Sequence, residues 1–155
     1  MTVRPTLAEL IEEAHRTGDL EPLVQAVPAA RFMGLSVVRD GDGDSSGVLT
    51  RLAFAPHIIG NPVLPAIHGG ALGFLLESAA VFELLWETRT PRVPKTLSLT
   101  IEYLRSAKPM ETFARGDITH HGRRVATVRV LAWQDDPKQP VTAANAHFLL
   151  ADREP

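Results

Sequence analysis

Cysteine is absent from the 155 residues of this chain. That absence excludes disulfides, a thiol nucleophile, and zinc or iron–sulfur sites ligated by cysteine. Excess charge of one sign is missing as well: 16 Lys+Arg against 18 Asp+Glu leave a net charge of −2. A dedicated nucleic-acid binder carries a basic surplus, so the near-balance disfavours that class. Long uncharged apolar runs are also lacking. The stretch from Gly69 to Leu76 is far shorter than the roughly 20 residues a bilayer span needs. The N-terminal MTVRPTLAELIEEA has acidic residues where a secretion signal needs an apolar block. What is plentiful is core material, with 45% hydrophobic and 22% charged residues, enough for one domain of ordinary size. These readings predict a soluble, cytoplasmic, single-domain protein with no nucleic-acid or membrane partner.

Thr6 and Glu9 have capping-box spacing ahead of the stripe Leu7, Leu10, Ile11 and Ala14, which predicts a helix stopped by Gly18. Asp19 is placed to cap a second short helix ending near Pro28. Residues 1–30 therefore read as a helical extension and 31–152 as the main domain. From Phe32 the period changes to two. Met33, Leu35 and Val37 alternate, GDGDSSG forms a polar turn, and Val48, Thr50, Leu52 and Phe54 alternate again, the pattern of a hairpin. A Pro- and Gly-rich loop, PHIIGNPVLPAIHGG, leads into a run from Ala71 to about Thr88 interrupted only by Gly73. Four further strands are predicted at Leu97–Tyr103, Phe113–His120, Arg124–Gln134 and Val141–Leu150. One long helix amid six strands joined by short turns predicts an α+β fold with an antiparallel sheet. Asp40, Asp42 and Asp44 imitate a calcium loop, but Ser45 and Arg51 stand where such a loop needs Gly and Glu, so a plain turn is expected. His120 and His121 lack a further ligand at metal-binding spacing, so no metal site is expected.

The helical run ALGFLLESAAVFELLWE is apolar almost all round, which predicts burial on most of its circumference. At about 100° per residue, Glu83 and Glu87 fall about 40° apart and share one solvent stripe, while Glu77 lies about 120° from Glu83, toward the apolar side. A carboxylate there either reaches a sheet edge or an arginine, or it is a catalytic group tuned by its surroundings. His68, Gly69 and Gly70 stand where the loop becomes helix. The first N–H groups of a helix have no intrahelical partner, and with the helix dipole they can stabilise an oxyanion. A plain helix start, with small residues for packing, is the alternative. Nine residues of helix span about 13.5 Å. His68 and Glu77 of one chain therefore cannot act on the same carbonyl; either one is idle, or two subunits with antiparallel helices share the site.

From about Phe32 to Leu150 the chain resembles the hotdog-fold acyl-CoA thioesterases, in particular the PaaI-like (phenylacetate-type) group. The resemblance rests on Asn61, His68-Gly69-Gly70, the acid at Glu77, and the stretches SLTIEYLRSAKP and GDITHHGRRVATVRVLAWQDD. It implies an antiparallel β-sheet wrapped around one long central helix, and two protomers that pair their sheets into a continuous one, as a homodimer or a dimer of dimers. It also implies hydrolysis of a small or medium acyl-CoA, aromatic acyl groups included, with CoA as part of the substrate and no other cofactor. In that family Gly69 or Gly70 would donate a backbone N–H to the thioester oxygen, Asn61 would orient substrate or water, and Glu77 of the facing subunit would be nucleophile or general base. Arg105 and Lys108 after one strand, and Arg123 and Arg124 before another, suit the phosphates of CoA. Met33, Phe54, Leu72, Phe74 and Leu75 are positional candidates for the acyl tunnel. A second resemblance joins His57 through Pro65 to the His-x-x-Gly-x-Pro-x-x-Pro loop of the hotdog β-hydroxyacyl dehydratases, which implies acid–base work by His57 and Glu77. A non-catalytic acyl-CoA sensor is the third reading.

Overall fold

The structure is a computed structural model that describes residues 4–41, 47–89 and 92–150. Helix α1, Leu7–Thr17, is opened by a full capping box: Thr6 Oγ1 accepts the Glu9 N–H at 3.3 Å, and Glu9 Oε2 accepts the Thr6 N–H at 2.6 Å. Gly18 closes it with φ 75°. Asp19 Oδ1 accepts the Glu21 N–H at 3.0 Å as α2, Glu21–Ala26, begins. Pro28 does not end the helical region. It opens a third helix, α3, Pro28–Met33, at the first position, where a missing N–H costs nothing. The period-two pattern expected from Phe32 therefore starts two residues later, after Gly34.

Strands β1, Leu35–Asp40, and β2, Gly47–Leu52, form the expected hairpin. The would-be calcium loop at its turn falls largely outside the described residues. A 3-10 turn at Pro56–Ile58 and a ribbon of β3, Ile59–Asn61, with β4, Ala66–Ile67, lead into α4, Gly69–Thr88. Strands β5, Lys95–Tyr103, β6, Thr112–His121, β7, Val125–Trp133, and β8, Thr142–Leu149, complete the chain. The six-stranded sheet runs β1-β2-β6-β7-β8-β5 with every neighbouring pair antiparallel.

Helix α4 lies against the inner face of this sheet, where small side chains let it come close. Ala114, Ala126, Ala132, Ala144 and Ala146 are buried there, and a Cβ on Gly116 would stand 3.2 Å from Glu83 Cβ and 3.5 Å from the Ala79 carbonyl oxygen. Leu75, Leu76, Ala80 and Leu84 are fully buried; each leucine contributes roughly 1.5–3 kcal/mol. At 20 residues and mean hydropathy 1.3, α4 is long and apolar enough to cross a membrane by length and composition, contrary to the expectation from the eight-residue run. With 56% of that window buried it has the environment of a core helix. Trp133 is buried against Phe113, and Trp86 packs beside His15 of α1.

Candidate active site

The first turn of α4 is held from two sides. His68 is its N-cap, and the His68 N–H bonds the Ile58 carbonyl at 2.8 Å, fixing the helix start to the base of the β3–β4 ribbon. A Cβ on Gly60 would fall 2.8 Å from His68 Cα, so only glycine allows this approach. On the other side the Tyr103 ring covers Gly69: a Cβ at 69 would stand 3.1 Å from the ring, and Tyr103 Oη–H donates to the Gly69 carbonyl at 2.9 Å. The two glycines thus differ in their free groups. The Gly70 N–H is consumed by His68 Nδ1 at 2.8 Å, and the Ala71 and Leu72 N–H groups bond the His68 carbonyl. The Gly69 N–H keeps no partner among the described residues, and it is the open donor at this helix end.

Strand β5 runs alongside α4 and reaches it again through Ile101, whose Cδ1 would lie 3.0 Å from a Cβ on Gly73, and through Thr96, whose Oγ1–H donates to Glu77 Oε1 at 2.7 Å. Glu77 is half-buried, on the partly open face of α4 that also carries Gly70, Phe74, Ser78 and Val81. The helical wheel had given the solvent stripe to Glu83 and Glu87. Glu87 is exposed, but Glu83 is only 6% exposed and its Oε2 accepts the Val48 N–H at 2.9 Å. Burial pushes the Glu83 carboxyl above its ordinary range, against the lowering effect of the Val48 bond, and the charges of Glu87 and Asp117 push it further. The β1–β2 hairpin covers that side of the helix. A wheel this uniformly apolar does not say which stripe faces outward.

Other expected residues are placed differently. Asn61 Oδ1 accepts the Val63 and Leu64 N–H groups at 3.0 and 3.2 Å, so this oxygen serves its own turn near the ribbon tip, away from the base that holds His68. The His57 ring packs tilted against Phe32, centroids 4.9 Å apart, and its Nε2 meets the Phe32 carbonyl at 3.1 Å; no hydrogen bond or ion pair among the described residues joins it to Glu77. Phe74 is half-buried on the open face, whereas Leu72 and Leu75 lie in the core and cannot line a tunnel on that face. Met33 is half-buried and Phe54 is 40% exposed. Arg105 and Lys108 border a cavity of about 290 Å³ with Gln134, Asp135, Asp136 and Gln139, near the start of α4, where the Ile67 N–H bonds the Ala107 carbonyl. Arg105 Nη1 donates to Gln139 Oε1 at 2.8 Å. Arg123 and Arg124 are exposed beyond the far end of β6, ten strand residues or about 33 Å away. The four basic residues do not cluster within one chain. A second cavity, about 430 Å³, lies at the C-terminal end of α4 among Glu83, Glu87, Asp117 and His121; three carboxylates make it a poor seat for phosphate.

Thr96 and Tyr103 were not singled out from sequence. Tyr103 shares the alternating set of Leu99 and Ile101, so its inward direction was legible. Thr96 breaks that parity and joins the inward side because the β5–β8 register shifts between Thr96 and Ser98.

A six-stranded antiparallel sheet wrapped around one long helix, with a glycine pair at the helix start and a carboxylate two turns on, is the hotdog architecture of thioester-hydrolysing domains. The chain belongs to the acyl-CoA thioesterase family: the model described as acyl-CoA thioesterase N-terminal domain matches residues 61–149. A solved structure from Chromobacterium violaceum is 36% identical, covering 96% of this chain and 98% of that one, with TM-score 0.72. A Ralstonia eutropha JMP134 protein, described as a phenylacetic acid degradation-related candidate thioesterase, is 26% identical over 80% and 91%, with TM-score 0.66. A Bacillus halodurans protein solved with CoA shares the fold at 23% identity over 64% and 68%, with TM-score 0.58. No curated protein matches the chain.

Proposed function

We propose that the protein hydrolyses a small or medium acyl-CoA, aromatic acyl groups included, in a site shared by two copies of the chain. The observation that carries this reading is the unpartnered Gly69 N–H at the start of a helix whose carboxylate, Glu77, lies eight residues or about 12 Å further on. The thioester oxygen accepts the Gly69 N–H, and the helix dipole adds to the stabilisation as charge develops. Strand β5 is an outer strand of the sheet, with Leu97 56% and Tyr103 57% exposed. A second copy pairing there about a two-fold axis runs its α4 antiparallel to the first, so that its Glu77 faces the Gly69 of its neighbour.

Thr96 occupies one Glu77 oxygen and leaves Oε2 for the reaction. As general base, Oε2 takes a proton from the attacking water, the tetrahedral intermediate expels the CoA thiolate, and that proton passes to the thiolate. As nucleophile, Oε2 attacks the thioester carbonyl and expels the CoA thiolate to form a mixed anhydride, which water then opens to release the acid and restore the Glu77 carboxylate. The same antiparallel arrangement brings Arg123 and Arg124 of one copy toward the Arg105 and Lys108 end of the other, where CoA phosphates would sit. The CoA-bound fold relative supports that ligand, and the phenylacetic acid-related one supports testing aromatic acyl groups. In this reading residues 1–30 extend a 31–152 domain, the location is cytoplasmic, and neither a metal nor a cofactor apart from the substrate's own CoA takes part. His68 holds the helix start; Asn61 supports the loop.

Thiol release from a panel of acyl-CoAs tests the proposal, and a thiol-reactive dye gives no background because the chain has no cysteine. Turnover that falls at least a hundredfold in Glu77→Ala, roughly the scale of losing an acid–base group, supports it. No turnover on any thioester overturns it and directs attention to 3-hydroxyacyl substrates and to binding without turnover.

A further inference from the structure

We infer that Tyr103 is a positioning residue for His68, acting on it through a single peptide group. The Gly69 carbonyl and the Gly70 N–H belong to the same peptide unit. Tyr103 Oη–H donates to that carbonyl at 2.9 Å, and that N–H donates to His68 Nδ1 at 2.8 Å. A hydroxyl, one peptide and an imidazole therefore form a continuous donor–acceptor chain. Donation to a peptide oxygen polarises the unit and strengthens its N–H as a donor, so the first bond reinforces the second.

The chemical consequence falls on the ring. A backbone N–H can only donate, so Nδ1 must accept, and the proton of the neutral imidazole sits on Nε2. His68 is exposed beyond this contact, so Nε2–H is the donor the ring has left to offer. Protonation of Nδ1 would break the chain and leave the Gly70 N–H without its partner. Tyr103 also explains why position 69 is glycine: the ring fills the space a side chain there would need.

The chain contains one tyrosine and six histidines. Biosynthetic replacement of tyrosine by 3-fluorotyrosine, a stronger donor of nearly the same shape, therefore changes position 103 alone. Long-range ¹H–¹⁵N spectra of histidine-labelled protein report the tautomer, with His68 assigned by its loss in His68→Gln. Wild type is expected to show His68 protonated at Nε2 with Nδ1 as acceptor. In Tyr103→Phe, which keeps the ring and removes the hydroxyl, the Nδ1–H form should grow while the other histidines stay unchanged; fluorotyrosine should shift the Nδ1 signal the opposite way. An identical His68 pattern in both proteins would overturn the inference, and the fluorotyrosine protein retains that power if Tyr103→Phe fails to fold. A kinetic readout rests on the proposed thioester hydrolysis: Tyr103→Phe should lower kcat roughly threefold to tenfold with KM unchanged. Because the spectra need no turnover, failure of that reaction and failure of this inference are separable.

Discussion

Glu83 is a carboxylate that the fold has taken out of water for one backbone bond to Val48, with Glu87 and Asp117 adding repulsion and Arg115 opposing them. Its folded value lies above the ordinary 4.5, so in the window above 4.5 the native state keeps a proton that the unfolded chain has lost. Stability from this group is therefore greatest at low pH, falls as pH rises through that window and stays lower above it. Glu83→Gln keeps an acceptor for the Val48 N–H and carries no charge. Thermal unfolding across pH 4 to 8 should show the variant gaining on wild type as pH rises; parallel curves would contradict this account. Gly60 offers a steric counterpart. A methyl there meets His68 backbone at 2.8 Å, so Gly60→Ala should cost about 1–3 kcal/mol in urea unfolding and should disturb the His68 cap, whereas an unchanged midpoint would mean the ribbon yields freely.

Two edges of the sheet receive opposite treatment. On β1, the Val37 N–H donates to Glu21 Oε2 at 3.0 Å, and Gln25 Nε2 donates to the Leu35 carbonyl at 3.2 Å. Side chains of α2 thus satisfy backbone groups that a further strand would otherwise pair with. Among the described residues β5 has no such cover. The double variant Glu21→Ala with Gln25→Ala should faster exchange the Val37 amide and add a concentration-dependent species heavier than wild type in light scattering; an unchanged mass distribution and unchanged exchange would rule out the guarding role. The six long strands and α4 were legible because each repeats its period over several residues. The β3–β4 ribbon and α3 were not: elements of two to six residues, held by the His68–Ile58 contact and by Pro28, carry too little pattern. Of the site, the glycine pair and Glu77 could be read from a helix start and its spacing. That Gly69 and not Gly70 has the free N–H depends on where one imidazole nitrogen points, and Thr96 enters only through a register shift.

Whether two copies make one site is a question of which chain supplies which group, and the geometry of position 69 allows it to be asked cleanly. Gly69 is the first helical residue after His68, whose φ −61° and ψ 134° are the conformation a residue before proline prefers. Gly69→Pro therefore suits the helix start while deleting the open N–H; the Tyr103 ring must give by a few tenths of an ångström. Loss of an oxyanion donor should lower kcat by about 10²–10³. Glu77→Gln removes the acid and leaves Gly69 intact. Each variant alone should be nearly inactive. Unfolded or exchanged together in equal amounts, half of the dimers are mixed, and each mixed dimer has one site with an intact Gly69 from one chain and an intact Glu77 from the other. About one quarter of wild-type activity should return, half of the sites in half of the dimers. A site built within one chain gives no rescue at any mixing ratio, because every chain then carries its own defect. Dilution adds a second reading of the same point: specific activity should fall across the concentration range in which sedimentation shows the mass halving, and a monomer of full activity would exclude a shared site.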